Sequence, residues 1–310
     1  MRPRTRKSDT GTGRLEAGLR LLYVNDVHYY GPSEPWYPKT VATMPKFRQL
    51  LGELRGEIDL LVVGGDCVNR GSARIEELRA FRDELDQAGA PYQVIAGNHD
   101  IAPSPRLAAR YPGVEDMEPC HLLETRFGQV FGGEGIRSAR DLGGIKGLFF
   151  SIRNDDAEGQ VAWLEDALRD GRPALVFCHY PLVPSRSDGF CHTWEYGRIE
   201  AALPELRRVI GARDGQVRAW FCGHQHINSR VSVGRETEQV VTGALGLSTC
   251  CYRLLDIEPG KISVTTHRLP EVPGWLDDVM NPERSKDAEH PTLESYHWGN
   301  DQERDFQILW

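Results

Sequence analysis

Tyr92-Gln93-Val94-Ile95-Ala96 runs directly into Gly97-Asn98-His99-Asp100. The first five residues read as a buried strand, and Gly97 breaks it just as chemically capable side chains begin. Four other clusters stand the same way, at or just past the end of an apolar run. They are Asp26-Val27-His28, Gly65-Asp66-Cys67-Val68-Asn69-Arg70-Gly71, Cys178-His179-Tyr180-Pro181 and Gly223-His224-Gln225-His226. Five strand ends that deliver Asp, Asn and His toward one crevice point to a metal site with more ligands than one ion takes.

Outward from that stretch, the first half of the chain alternates. A strand at Leu21–Val24 is followed by helical spacing over Thr40–Glu57, with apolar residues at Val41, Met44, Phe47, Leu50, Leu51 and Leu54. A strand at Asp59–Val63 and a second amphipathic helix over Ser72–Ala88 follow, before the strand that ends at Gly97. Such alternation predicts parallel strands with helical crossovers. In sheets of that kind ligands sit beyond the carboxyl ends of the strands, which places Asp26, Asp66 and Asn98 on one edge.

Residues 101–140, rich in Pro, Gly and Arg, read as an irregular cover over the site. Further elements are expected at Ile145–Ile152 (strand), Gly159–Leu168 (helix), Pro173–Phe177 (strand), Arg198–Ile210 (helix) and Val217–Phe221 (strand). Antiparallel hairpins then turn at Gly234-Arg235 and Pro259-Gly260. Tyr30, Trp36, Tyr37 and the His192-Thr193-Trp194 loop follow ligand clusters, so they either line a substrate pocket or pack long loops.

Composition bounds the function. A chain of 310 residues with 40% apolar and 26% charged content can bury a full core. No run approaches the ~18 apolar residues of a membrane span, and no apolar segment follows the basic Met1–Lys7, so the cytoplasm is the expected compartment. The seven scattered cysteines read as buried free thiols. Net charge is −8, but residues 1–20 hold six Lys/Arg against two Asp/Glu, and residues 271–310 hold three against ten. An acidic body lacks the basic surface that nucleic acid as a main partner requires. Residues 1–19 are expected to be a basic flexible arm. Residues 270–310 form an acidic extension with Trp275, Trp298 and Trp310. It is expected to lie along the core through its Trp residues and Phe306, or to dock on a partner subunit as a homo-oligomer.

The donors Asp26, His28, Asp66, Asn98, His179, His224 and His226 are oxygen and imidazole only, which suits Mn, Fe or Zn rather than a thiolate-held structural zinc. Seven ligands suit two ions sharing a bridging carboxylate. The i, i+2 pairs Asp26/His28 and His224/His226 would project on one side of an extended segment. Two such ions clamp the attacking and leaving oxygens of a phosphoryl displacement, with a bridging water or hydroxide as nucleophile. His99 is the motif histidine left over to protonate the leaving oxygen, and Arg70 can hold a phosphate oxygen in bidentate fashion.

In order, these clusters resemble the metallophosphoesterase (calcineurin-like phosphoesterase) superfamily pattern D-x-H, G-D-x-x-(D/N)-R, G-N-H-(D/E), H, G-H-x-H, over roughly residues 20–268. Gln160-Val161-Ala162-Trp163-Leu164-Glu165 is similar to a segment of its cyclic-nucleotide-phosphodiesterase-like branch. The resemblance implies an α/β fold of four layers, α-β-β-α, with two mixed sheets flanked by helices. It implies that Asp26, His28 and His226 hold one ion, Asn98, His179 and His224 the other, with Asp66 bridging and His99 as acid. In the Ser/Thr phosphatase branch the residue before the motif Arg is an Asp that orients the catalytic His. Here it is Asn69, so either another carboxylate, such as Asp100, supplies that charge or His99 acts mainly as a hydrogen-bond donor. The expected activity is hydrolysis of a small-molecule phosphodiester, cyclic-nucleotide or nucleotide-like. A phosphomonoesterase, including a protein phosphatase, is the alternative, and a non-catalytic scaffold of the same fold is disfavoured because all seven ligands are intact.

Overall fold

The computed structural model describes residues 18–71, 74–105, 117–153, 156, 158–189, 199, 201–279 and 281–310. The His192-Thr193-Trp194 loop and nearly all of the basic arm lie outside them.

The opening alternation is β1 (Leu19–Val24), α1 (Lys39–Glu53), β2 (Leu60–Val63), α2 (Ile75–Ala88) and β3 (Tyr92–Val94). The three strands pair in parallel, Leu21 beside Leu60 and Leu61 beside Tyr92. Continuous apolar runs suit strands covered on both faces, and all four β2 residues are buried. Residues 117–140 are more ordered than their composition predicts. Arg126–Ile136 forms α3, two helical pieces that meet at a kink at Gly132 (φ 67°), and Arg137–Asp141 forms an edge strand, β4. Gly128, Gly132, Gly133 and Gly135 lower helix propensity there and hide the period. The helix stands because Thr125 caps it, accepting from Gly128 N at 3.1 Å, and because Phe127, Val130 and Ile136 bury in the same cluster as Leu78 and Phe81 of α2.

Then come β5 (Lys146–Phe150), α4 (Gln160–Ala167), β6 (Ala174–Phe177), α5 (Leu203–Ala212), β7 (Val217–Cys222), β8 (Ser229–Ser232) and β9 (Glu238–Val241). The α5 helix begins where Pro204 can sit in its first turn, which is why that proline is tolerated. The chain ends with β10 (Cys251–Glu258), β11 (Lys261–Arg268), α6 (Leu293–Trp298), α7 (Asp301–Arg304) and β12 (Phe306–Leu309). One mixed sheet has the order β12-β11-β10-β1-β2-β3, and the other β4-β5-β6-β7-β9-β8. Residues after 270 thus supply the first sheet's outer strand, Phe306 pairing with Val264.

The sheets face each other across a core that includes Tyr23, Phe177 and Phe221. The Tyr23 ring meets Phe177 edge-on at 5.4 Å, and Phe177 stacks on Phe221 at 5.1 Å. Truncating such a ring to alanine costs about 3–5 kcal/mol. Helices α1, α2 and α3 cover one outer face and α4 and α5 the other, giving four layers. Among the described residues no helix is long and apolar enough to cross a membrane. The parallel strands β1, β2, β3, β6 and β7 all open onto one rim.

Candidate metal centre

Three of those strands, β1, β2 and β7, end in sharp left-handed turns. Asp26, His28, Asp66, His224 and His226 have φ of 50°, 49°, 47°, 69° and 54°. The i, i+2 pairs therefore converge through left-handed turns and not along extended chain. A non-glycine residue in that region costs roughly 1–2 kcal/mol and persists where neighbours over-determine it. Backbone bonds do so here. Asp26 N donates to Gly65 O at 3.0 Å, His28 N to Asp66 O at 3.0 Å, and Gly223 N to His179 O at 3.0 Å. Close approach explains the motif glycines. A Cβ on Gly97 would stand 2.2 Å from Asp66 Oδ1, and one on Gly223 2.5 Å from Asp26 Oδ2.

The turns bring together three sets of side chains whose candidate ligand atoms lie within 4.8 Å of one another: Asp26/His28/His226, Asp66/His179/His224 and His28/Asp66/His99. His179 Nε2 is 3.3 Å from Asp66 Oδ2 and 4.0 Å from Asp26 Oδ1, and His226 Nε2 is 3.4 Å from Asp26 Oδ1. Asp26, His28 and His179 are fully buried, and Asp66 nearly so. Both ring nitrogens of His28 and the Oδ1 of Asn98 are buried with no hydrogen-bond partner among the described residues. Burying polar groups without partners is costly. Two carboxylates beside four imidazoles at this spacing are what a cation pair satisfies, so the donor set fits two metal ions.

Second contacts fix the ring orientations. His179 Nδ1 lies 3.1 Å from the Gly64 carbonyl oxygen, which leaves Nε2 toward the carboxylates. His99 Nδ1 lies 3.1 Å from the Asn69 carbonyl oxygen, and His99 N donates to Asp66 Oδ1 at 2.8 Å. Asp100 does not orient His99. Its carboxylate accepts from Gly97 N at 2.8 Å, Cys67 N at 3.1 Å and Val68 N at 3.1 Å, stapling two motif loops together.

The electrostatics follow from burial and crowding. Burial and the neighbouring His99 hold His28 well below the usual imidazole range, and burial with His179 does the same for His224. Both are neutral and ready to coordinate. Burial opposes charge on His179, but Asp66 and Asp26 outweigh it and push its pKa up to about 9. Burial likewise pushes the Asp66 carboxyl up, yet His179, His99 and His28 prevail and hold it well below the ordinary carboxylate range.

With this geometry the comparisons are specific. Residues 19–228 match the calcineurin-like phosphoesterase family. The chain belongs to that family. This metallophosphoesterase is 24% identical over 212 residues to a protein of Arcobacter nitrofigilis named a probable glycerophosphodiester phosphodiesterase, covering 66% of this chain and 71% of that one. It is 29% identical over 218 residues to a protein of Synechococcus sp. named a probable cyclic nucleotide phosphodiesterase, covering 67% and 73%. Among solved structures it is similar to a dimetal phosphatase from Danio rerio, with TM-score 0.54 and 15% identity over 81% of this chain and 96% of that one. It also resembles the purple acid phosphatase PPD1 of yellow lupin, with TM-score 0.56 and 15% identity over 83% and 52%. The two structural likenesses bear on the fold. The chain is a metal-dependent phosphoester hydrolase with the dimetal site typical of its family.

Around the metallophosphoesterase centre the structure sorts the aromatic residues. Tyr30 stacks on Tyr29 at 6.0 Å and packs against the core. Tyr37 turns to the site, its ring 4.9 Å from that of His28 and 6.3 Å from that of His99. Burial, then Asp66, Asp26 and Asp278, push the Tyr37 phenol up, so it stays a neutral hydroxyl. Trp36, 55% exposed, stacks beside Tyr37, and the Arg70 guanidinium lies 4.7 Å from its ring centroid. Arg70 makes no ion pair among the described residues, in contrast to Lys39, which Asp278 takes at 2.8 Å. The six described cysteines are free thiols, five of them buried. Sequence reasoning left His297 without a role, and no local signal marks it. The structure sets its Nδ1 3.4 Å from the His226 carbonyl oxygen.

Proposed function

We propose that this metallophosphoesterase hydrolyses a small-molecule phosphodiester. Asp26, His28 and His226 would hold one ion and Asn98, His179 and His224 the other, with Asp66 between them. Two ions, Mn, Fe or Zn, would supply Lewis-acid charge at phosphorus and lower the pKa of the attacking water. The observation that supports this reading is the convergence of two three-residue ligand sets around Asp26 and Asp66, with His179 Nε2 within 4.0 Å of both.

The chain's own groups divide the remaining work. Arg70, stacked on Trp36 and without a carboxylate partner among the described residues, keeps its N–H fork open for a phosphate oxygen. His99 is held through Nδ1 by the Asn69 carbonyl, so its Nε2 is the atom that delivers a proton to the leaving oxygen. Tyr37 and Trp36 wall the same side and shed water from it.

Charge supports a diester over a monoester. A diester brings one negative charge, which a single guanidinium beside the ions matches, whereas a monoester dianion favours a richer cationic cradle. The names of the two relatives point the same way. The test is turnover of bis-p-nitrophenyl phosphate against p-nitrophenyl phosphate after loading with manganese. A kcat/KM at least tenfold higher for the diester is expected, and the opposite order would overturn the assignment. A panel of cyclic nucleotides and glycerophosphodiesters then identifies the leaving group.

A further inference from the structure

The family match ends at residue 228, yet the segment that carries His226 is built into residues 296–304. His297, 3% exposed on α6, grips that segment at two points. Its Nδ1 lies 3.4 Å from the His226 carbonyl oxygen, and its own carbonyl accepts from Asn228 N at 2.8 Å. Arg186 Nη2 donates to both Asn228 O and Tyr296 O at 2.7 Å, and Arg186 Nη1 pairs with Glu303. Arg253, fully buried, reaches Asn228 Oδ1 at 3.4 Å and donates to the carbonyls of Glu303 and Arg304 at 3.0 Å each.

This bracing has a reason. His226 sits at φ 54°, a conformation that its surroundings must impose, and within its own turn Gln225 N donates to Gly223 O at 2.8 Å. Contacts behind a ligand orient it, and their loss typically weakens metal binding about 10–100-fold.

We propose that His297 is a positioning residue for His226, so that the C-terminal extension completes one half of the dimetal centre. The proposal rests on His226 being a ligand, as assigned under Proposed function. A purely structural role would loosen the whole protein, or both ions alike. A positioning role weakens the ion held by Asp26, His28 and His226 and spares the other.

The experiment titrates manganese into the metal-free full-length protein by calorimetry, for wild type, His226→Ala, His297→Phe and His297→Asn. Phenylalanine fills the space without a donor, and the asparagine amide places an N–H near the position of Nδ1. His226→Ala is expected to lose one ion. His297→Phe should weaken that same ion about tenfold or more and hold the other within about twofold, and His297→Asn should recover most of the loss. If His226→Ala keeps both ions, the ligand assignment fails and this proposal with it. If His226→Ala loses one ion while His297→Phe binds both as wild type does, or weakens both equally, the positioning role alone is overturned. Should His297→Phe not fold, hydrogen exchange on the wild-type protein decides. Manganese should slow the Asn228 amide and the amides of 296–298 together, and unchanged exchange at 296–298 would overturn the proposal.

Discussion

Replacing Gly97 with alanine tests how closely the motif loops are fitted. The new Cβ would stand 2.2 Å from Asp66 Oδ1, 2.6 Å from Asp66 N and 2.8 Å from Asp66 Cγ, where ordinary contact begins at 3.4 Å. Relief therefore requires a shift of about 1 Å, and neither side is free to give it. Asp66 is tied by its carbonyl to His28 N at 3.0 Å and by Oδ1 to His99 N at 2.8 Å. Gly97 is tied by its N–H to Asp100 Oδ2 at 2.8 Å. Overpacking of this kind costs about 1–3 kcal/mol, and a 1 Å misplacement of a reacting group costs about 100-fold in rate. Gly97→Ala should lower kcat/KM on bis-p-nitrophenyl phosphate about 100-fold, with weakened manganese binding and a Tm lower by a few degrees. Gly52→Ala is the control. Nothing lies within 4 Å of its Cβ on α1, so it should keep full activity and gain up to ~1 kcal/mol in stability. A Gly97→Ala enzyme with both ions bound and kcat/KM within threefold of wild type would refute the argument from close contact.

His99→Ala should keep its metal and lose about 100-fold or more in kcat on diesters with alkyl leaving groups, yet lose far less on bis-p-nitrophenyl phosphate, whose leaving group needs no proton. Equal losses on both would count against the acid role. Trp36→Ala frees the Arg70 guanidinium from its seat, and a cation–π contact of about 0.5–2 kcal/mol predicts a KM, and a Ki for inorganic phosphate, higher by about 2- to 30-fold; a fall in kcat with unchanged KM would exclude this role. For the metal-free protein, a His179 pKa raised to about 9 from its ordinary 6.5 means that stability from its pairing with Asp66 is complete below pH 6.5 and lost as pH rises through 9. Tm should fall across that window without metal and stay level with it, and manganese binding at pH 7 should release close to one proton, read from calorimetry in buffers of different ionisation enthalpy.

What the sequence made legible was local. A hydrophobic run followed by Gly, Asp, Asn or His is visible without a fold, because strand period and chain break lie in neighbouring residues. Hence the rim of ligands could be drawn from five short stretches. The left-handed turns at Asp26 and His224 could not, since they are imposed by bonds to Gly65 and His179, far away in sequence. The α3 helix was hidden by its glycines and is held by burial of Phe127 and Val130 against a helix some forty residues earlier. Asp100 follows His99 directly, which made it the natural carboxylate to support the ring. The backbone instead turns it inward, where three peptide N–H groups take it. His297 was invisible for the same reason in extreme form, as it stands 71 residues from His226.

The contact that replaces Asp100 has its own consequence for Asn69. The residue before the motif arginine matters in this chain through its carbonyl, which lies 3.1 Å from His99 Nδ1. Its side-chain Nδ2 and Oδ1 are buried with no hydrogen-bond partner among the described residues. A carbonyl fixes the ring and its tautomer whatever the side chain. Asn69→Ala removes two unsatisfied buried atoms and leaves the carbonyl in place. Leaving such atoms unpaired costs about 1–3 kcal/mol apiece, which offsets the small cavity made by their removal. The variant should therefore hold its Tm and keep kcat/KM on bis-p-nitrophenyl phosphate within about threefold of wild type. A collapse of kcat at unchanged Tm and metal content would show that the side chain, and not the peptide group, holds His99 or the substrate.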